Sequence, residues 1–281
     1  MIRKILKRKY LFIGIGLISF FILFLVFYLI YTDDYSNARF RTMQGTVSTR
    51  KKVDLTGLRD LKASGGPIIN FSKLRKKLHH ARGKILIIDG MSEEHGYIGN
   101  ISTTFLGYNN KGFNLLFFIR RLIFTSTSKI LSKYTTSEAI IAKNFYFDYK
   151  HIQIESKFLT PDKCVDEFVS YIDKVPDNMW IYFHCRHGKG RTSMMLVMYD
   201  IMKNAPTVAL KNIVKRQHLL GSVNLFDTRN WKIKGSKAYS SNTLEQRKKF
   251  IINFYTFICQ RKAGGIKKWS DWHQAQKKET L

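Results

Sequence analysis

Residues 180–199 read WIYFHCRHGKGRTSMMLVMY. The first four residues are apolar and bulky, a pattern that predicts a buried strand, and the last six predict a buried helix. Between these elements, five residues separate Cys185 from Arg191. We therefore predict a strand, a tight loop at its carboxyl end, and a helix that begins near Arg191.

This loop has the composition of a phosphate cradle. Backbone N–H groups at a helix N-terminus are unpaired and carry the positive end of the helix dipole, so they attract anions. Gly188 and Gly190 are expected to adopt positive φ angles and let the loop curl tightly. Arg191 offers a planar fork for two phosphate oxygens, and the surrounding positive field favours the thiolate form of Cys185. The alternative is a buried structural cysteine followed by a glycine turn.

The predicted roles follow from these positions. Cys185 is the candidate nucleophile, Arg191 the phosphate clamp, and Thr192 the hydroxyl that donates to the thiolate. His184 is expected behind the loop, where it tunes the cysteine. The predicted phosphate-binding residues are those of the loop itself, Arg186, His187, Gly188, Lys189, Gly190 and Arg191. The stretch resembles the cysteine-phosphatase superfamily, whose signature is His-Cys-x5-Arg-Ser/Thr.

Composition limits the classes of partner. The chain has 48 basic and 20 acidic residues, a net charge of +28, which favours polyanions such as anionic lipid head groups or polyphosphorylated small molecules. Nucleic acid is not the expected partner, and many of the lysines are equally consistent with a solvated surface. The three cysteines form neither a disulfide framework nor a zinc motif, so no metal and no cofactor is expected.

An apolar run from Tyr10 to Tyr31 is long enough to cross a bilayer. We expect residues 1–34 to be a basic segment with a transmembrane anchor and residues 35–281 to be the catalytic domain. Basic residues before the run and Asp33 and Asp34 after it place the N-terminus in the cytoplasm and the domain outside, in the periplasm. The alternative is secretion after cleavage of a signal sequence.

The rest of the chain alternates strands and helices. Lys84–Asp89 is a predicted strand, residues 145–154 another, and a helix begins at Thr160-Pro161 with Val165, Phe168, Val169 and Ile172 on its apolar face. Residues 61–66 are expected to form a turn, residues 115–131 a helical insert, and Thr243-x-x-Gln246 a capping box. The predicted fold class is α/β, a cysteine-phosphatase-type sandwich with a central, mostly parallel sheet flanked by helices.

Several motifs outside the loop resemble the cysteine phytases, the tyrosine-phosphatase-like myo-inositol phosphatases of bacteria. They span residues 38–273 and comprise Phe40-Arg41-Thr42, Asp89-Gly90-Met91-Ser92-Glu93-Glu94-His95-Gly96, Gly107-Tyr108-Asn109-Asn110, Arg216-Gln217-His218 and Trp269-Ser270-Asp271-Trp272. The resemblance implies hydrolysis of inositol polyphosphates through a phosphocysteine intermediate. Glu93 and His95 are expected to hold the loop after the strand, and His218 is equally consistent with a structural or a ligand-binding role.

Two departures from the family pattern affect the chemistry. Met91 replaces an arginine, which removes one cationic group from the pocket region. The family's general-acid aspartate aligns with Ser156 in one alignment and with Glu155 in another. A serine cannot protonate an alkoxide usefully, whereas a glutamate can, so Glu155 is the candidate general acid. The alternative for Glu155 is a solvated loop carboxylate.

Three functions remain open on these residues. The first is a phosphatase of inositol polyphosphates or phosphoinositides, favoured by the basic Arg186 and Lys189, a pattern that also resembles the tensin-type lipid phosphatases. The second is a protein-tyrosine or dual-specificity phosphatase. The third is a weakened pseudophosphatase that only binds polyanionic phosphates. Lys232, Lys234 and Lys237 are a candidate rim for additional phosphates, or simply a solvated loop.

Overall fold

The computed structural model describes residues 2–31, 39–47, 52–81, 83–108, 112–155, 160–230 and 239–279. The predicted fold class is confirmed: the domain is an α/β sandwich with a central sheet covered by helices on both faces. Its helices are α1 (Ile2–Tyr31), α2 (Phe71–Lys77), α3 (Leu115–Thr125), α4 (Glu138–Asn144), α5 (Asp162–Ile172), α6 (Gly190–Asn204), α7 (Leu210–Leu219), α8 (Ser241–Lys262) and α9 (Trp269–Glu279).

The strands are β1 (Arg41–Thr42), β2 (Ala63–Pro67), β3 (Ile85–Asp89), β4 (Tyr97–Ile98), β5 (Ile101–Ser102), β6 (Asp148–His151) and β7 (Trp180–Cys185). Five of these strands form the central sheet in the order β1-β2-β7-β3-β6, and a separate hairpin pairs β4 with β5. The strands β2, β7, β3 and β6 are parallel, and β1 joins the edge of β2 in the antiparallel direction.

Side chains of β7 alternate between two cores. Ile181 and Phe183 pack into a core shared with α5, α6 and α8, whereas Trp180 and Tyr182 pack into a second core with α2. Because both faces are covered, the strand is apolar at every position from Trp180 to Phe183 rather than at every second one. Helix α6 is buried from Arg191 to Met202, so the loop between β7 and α6 is anchored at both ends in the interior.

Residues 61–66 do not form the predicted turn, because β2 continues through its glycines. A Cβ added at Gly65 would lie 2.7 Å from Leu196 Cδ1 and 2.8 Å from Thr192 Cγ2, and one at Gly66 would lie 2.5 Å from the hydroxyl of Tyr182. The glycines are therefore explained by the close approach of helix α6 and of the neighbouring strand, not by a reversal of the chain.

Some predicted boundaries move. Residues 145–147 end α4 and turn, with Tyr146 at φ 58°, so that the strand begins only at Asp148. Helix α8 begins at Ser241 and is capped by Ser240, which accepts from Thr243 N, so Thr243 is not the N-cap. The predicted apolar face of α5 and strand β3 are confirmed.

Candidate active site

The phosphate loop joins the end of β7 to the start of α6. Gly188 has φ +67°, and a Cβ there would lie 2.5 Å from backbone atoms of Gly66 and Pro67, so only glycine fits. Gly190 differs from the prediction, since it is the first residue of α6 and is not among the positive-φ residues. Arg191 follows as the second helical residue, as predicted.

Cys185 lies at the base of this loop and is 3% exposed. Burial raises the pKa of its thiol, but the charge of Arg191 and hydrogen bonds from Thr192 and from the backbone of His187 outweigh burial and place the pKa below its ordinary value. The Thr192 hydroxyl lies 3.1 Å from the Cys185 sulfur and 3.1 Å from the carbonyl oxygen of Gly66. The surroundings of the sulfur thus stabilise a thiolate.

Arg191 is held by Glu93 in a two-pronged ion pair. Its Nη1 donates to Glu93 Oε2 at 2.5 Å and its Nη2 to Oε1 at 2.8 Å, while Ser92 Oγ accepts at 3.3 Å. Burial raises the pKa of the Glu93 carboxyl, but the hydrogen bonds and charge of Arg191 dominate and lower it to about 2. The motif that carries Glu93 placed this residue on the loop after β3, but nothing in the motif indicated its contact with Arg191.

Behind the loop, a buried network joins two carboxylates to two histidines. His184 Nε2 lies 3.2 Å from Glu138 Oε1, and His95 Nε2 lies 3.0 Å from Asp89 Oδ2 and 2.9 Å from Glu138 Oε2. Burial lowers the pKa of both histidines, but the carboxylates reverse this, raising the pKa of His184 above its ordinary value and that of His95 to about 11. His184 thus lies beside Glu138 near the end of β7, and its role in tuning Cys185 stays a prediction.

The same cluster has the composition of a metal site. Ligand atoms of Asp89, Glu138 and His184 lie within 4.8 Å of one another. His95, however, contacts both carboxylates directly, and His184 lies 3.2 Å from Glu138. The carboxylates are thus already satisfied by the two histidines.

Two arginines that precede β2 in the chain hold the phosphate loop through hydrogen bonds. Arg39 Nη1 donates to His187 O at 3.0 Å, and the buried Arg41 donates to Gly188 O at 2.7 Å and to Ser193 Oγ at 3.1 Å. Burial lowers the pKa of Arg41 to about 10, with the nearby Cys185 opposing that shift. Arg41 was recognised in the sequence only as part of a family motif, because its contact with the loop spans 147 residues.

The remaining candidates occupy different surroundings. Arg186, His187 and Lys189 are half-buried at the loop, whereas Met91 is fully buried in the second core. His218 Nδ1 lies 2.8 Å from Ser222 O. This contact fits the structural role, one of the two roles predicted for His218. Lys232, Lys234 and Lys237 lie outside the described residues.

Glu155 follows strand β6 on a separate segment. Its carboxylate accepts from Gln153 Nε2 at 2.9 Å, and its backbone N–H donates to Thr160 Oγ1 at 3.3 Å. Residues 156–159, including the alternative candidate Ser156, lie outside the described part of the chain. The role of Glu155 as general acid stays a prediction.

The fold is that of the cysteine-phosphatase-type sandwich, and the loop resembles the signature of that superfamily. The model of the PTP-like phytase family, whose description names inositol hexakisphosphate, matches residues 119–203. The predicted resemblance to that family is thereby confirmed. Members of the family are phosphatases, and the match runs from within α3 to within α6, including the whole phosphate loop.

Solved structures share the fold. A PTP-like myo-inositol phosphatase from Mitsuokella multacida, solved with myo-inositol-(1,3,4,5)-tetrakisphosphate, is similar at a TM-score of 0.66 and 20% identity, covering 85% of this chain and 45% of that one. A PTP-like phytase from Bdellovibrio bacteriovorus gives a TM-score of 0.60 and 22% identity, covering 86% of this chain and 92% of that one. The chain thus spans about half of the Mitsuokella protein, whose structure is described as tandemly repeated.

Two curated relatives are also similar. The uncharacterized protein AvrBs1.1 of Xanthomonas campestris pv. campestris is 29% identical over 93 residues, 33% of this chain and 86% of the relative. The effector protein hopD2 of Pseudomonas syringae pv. tomato is 21% identical over 264 residues, 83% of this chain and 56% of the relative.

The N-terminal helix α1 is relevant to the cellular location of the protein. Within the described residues, Arg8–Phe27 of α1 is long and apolar enough to cross a membrane, with a mean hydropathy of 2.7 and none of it buried against the domain. A signal sequence passes the same test of length and composition.

Proposed function

We propose that this protein is a cysteine-dependent phosphomonoesterase that acts on inositol polyphosphates or phosphoinositides. The observation that carries the proposal is the position of the Cys185 sulfur, at the base of a loop that ends at Arg191 and 3.1 Å from the Thr192 hydroxyl. The family match and the inositol phosphate bound to the Mitsuokella relative support this substrate class.

In the proposed first step, the Cys185 thiolate attacks phosphorus, an S–P bond forms, and the ester P–O bond breaks. The leaving inositol oxygen takes a proton from Glu155. In the second step a water attacks phosphorus and gives a proton to the Glu155 carboxylate, the S–P bond breaks, and inorganic phosphate leaves. Arg191 and the loop N–H groups hold the phosphoryl oxygens throughout, and Thr192 donates to the returning thiolate.

Phosphate release measured side by side from inositol hexakisphosphate, from vesicles containing a phosphoinositide, and from a tyrosine phosphopeptide tests the substrate class. We expect release from one or both inositol substrates at a rate well above that from the phosphopeptide. The Cys185→Ser variant should release none, whereas Cys259→Ser, at a half-buried cysteine distant in sequence from the loop, should match the parent protein. Preference for the phosphopeptide would make the chain a tyrosine phosphatase, and tight binding without turnover would make it a pseudophosphatase.

Glu155→Gln tests the proton donor. We expect hydrolysis of an inositol phosphate to slow by about 100-fold or more, because an alkoxide needs a proton to leave. Hydrolysis of an activated aryl phosphate should hardly change, since its phenolate leaves unaided. Steady-state rates on both substrates, with Gln153→Ala as a control for the neighbouring hydrogen bond, decide the matter. Equal slowing on the two substrates would remove Glu155 from proton transfer.

A further inference from the structure

Helix α3 buries an arginine and exposes several apolar side chains. Arg120 is 2% exposed, with its guanidinium 4.2 Å from the centre of the Phe105 ring, and Arg121 donates to Leu106 O at 3.0 Å. In contrast, Leu115 and Leu122, two turns apart on the opposite face, are 61% and 51% exposed. A helix on a soluble domain normally turns its apolar face inward and its charges outward.

The exposed apolar residues extend beyond the helix. Outside α1, twelve large apolar side chains of the described residues are exposed, and eight of them lie between positions 113 and 140. We call these eight residues the apolar patch: Phe113, Leu115, Leu122, Ile123, Phe124, Ile130, Tyr134 and Ile140. A concentration of this kind on a basic protein marks a surface that is covered by something else.

The charged residues of the sequence interval that contains seven of the eight patch residues are all positive. No aspartate or glutamate occurs between Glu94 and Glu138, whereas that interval contains Lys111, Arg120, Arg121, Lys129 and Lys133. Lys133 and Tyr134 are both exposed, and the lysine nitrogen lies 4.9 Å from the tyrosine ring centre. Apolar side chains surrounded by lysines and a tyrosine are the combination that binds the interface of an anionic bilayer.

One residue of the apolar patch reaches the neighbourhood of Arg191. Ile130 lines the same cavity, of about 650 Å³, as Ser92 and Glu93, and those two residues contact Arg191. The cavity therefore connects the edge of the apolar patch with the residues that hold Arg191.

The length of chain after α1 keeps the loop close to any membrane that α1 crosses. Helix α1 ends at Tyr31, and Arg39 donates directly to His187 O of the loop. Eight residue steps span at most about 29 Å even when fully extended. A bilayer anchored through α1 is thus within reach of the domain face that carries the loop.

We propose that the apolar patch docks on an anionic lipid bilayer and presents the phosphate loop to inositol phosphates carried by that bilayer. The choice of lipid-borne substrate rests on the proposed function, whereas the docking itself does not. A domain docked in this way would act on substrates at the bilayer surface rather than on soluble inositol phosphates.

Tryptophan fluorescence in brominated lipid tests the docking. The full chain, reconstituted in vesicles of phosphatidylcholine and brominated phosphatidylserine, is compared with Ile123→Trp and with the control Ile252→Trp. The two positions are matched, since Ile123 is 44% and Ile252 41% exposed. We expect additional quenching of the new tryptophan at position 123 and none at position 252. Equal quenching at both positions, or at neither, would overturn the docking.

Turnover tests what the docking does. Ile123→Glu should lower phosphate release from vesicle-borne phosphoinositide by about tenfold or more and leave release from soluble inositol hexakisphosphate unchanged, while Ile252→Glu should change neither. Unchanged release from vesicles would overturn the proposal that docking presents the substrate. If the parent protein hydrolyses neither substrate, the proposed function fails, and the quenching result still decides the docking. If Ile123→Glu only converts a dimer to a monomer, without any change in lipid quenching, the patch is a protein interface and the proposal is wrong.

Discussion

Two sets of carboxylates flank the phosphate loop, one in front of Arg191 and one behind Cys185. Glu93, in front, retains 25% of its side-chain exposure and pairs with a single arginine. Asp89 and Glu138, behind, are at most 3% exposed and share two histidines. The front pair can exchange its partner for a phosphate from solvent, whereas Asp89 and Glu138 are almost closed to solvent. The difference separates groups that govern binding from groups that hold the loop in shape.

Breaking the rear network should have the larger effect on folding. Glu138→Gln keeps the shape of the side chain but leaves His95 and His184 with only Asp89 as an anionic partner. We expect a loss of roughly 3 kcal/mol in the free energy of unfolding, because removing one member of a buried ion pair strands the others. Urea unfolding of the variant and the parent measures it. A change below about 1 kcal/mol would show that the rear network is not the anchor described above.

Breaking the front pair should change binding more than folding. Glu93→Gln removes a negative charge beside Arg191, so we expect inorganic phosphate to bind roughly tenfold more tightly, a difference of about 1.4 kcal/mol. The loss of stability should stay at or below about 1 kcal/mol, as for a partly exposed pair. Titration with phosphate and urea unfolding provide the two numbers. Weaker phosphate binding in the variant would indicate that Glu93 mainly orients Arg191 rather than competing with the ligand.

The smallest expected effect is a pH dependence of the front pair. The pKa of Glu93 is lowered from its ordinary value of 4.5 to about 2, so its stabilising contribution is present above pH 4.5 and is lost as pH falls through 2. The parent protein and Glu93→Gln should therefore converge in stability between these pH values. Thermal unfolding of both proteins across this range measures the difference. A difference that stays constant with pH would mean that Glu93 contributes through packing and not through its charge.

The sequence predicted those parts of the molecule in which neighbouring residues act together. Strand β7, the loop and the start of α6 form a continuous stretch, so spacing alone placed Cys185, Arg191 and Thr192 near one another. The amphipathic face of α5 was equally readable, because its apolar residues recur at helical intervals.

The parts that were missed depend on contacts between distant segments. Gly65 and Gly66 suggested a turn, and only the packing of α6 on β2 explains them as strand residues. Glu138 carries no motif and reaches His184 from 46 positions away, and Glu93 reaches Arg191 from 98 positions away. The exposure of apolar residues on α3 could not be predicted from its composition, since the same residues also suit an ordinary buried helix.

The most direct test of the central claim is to trap the phosphoryl group on Cys185. The parent protein, mixed with an inositol phosphate and quenched in acid within its first turnovers, should yield a peptide containing Cys185 that carries one phosphoryl group. Cys185→Ser should yield no phosphorylated peptide. Full turnover with no phosphoryl group on any cysteine, or a phosphoryl group on another residue of the loop, would contradict the proposed mechanism.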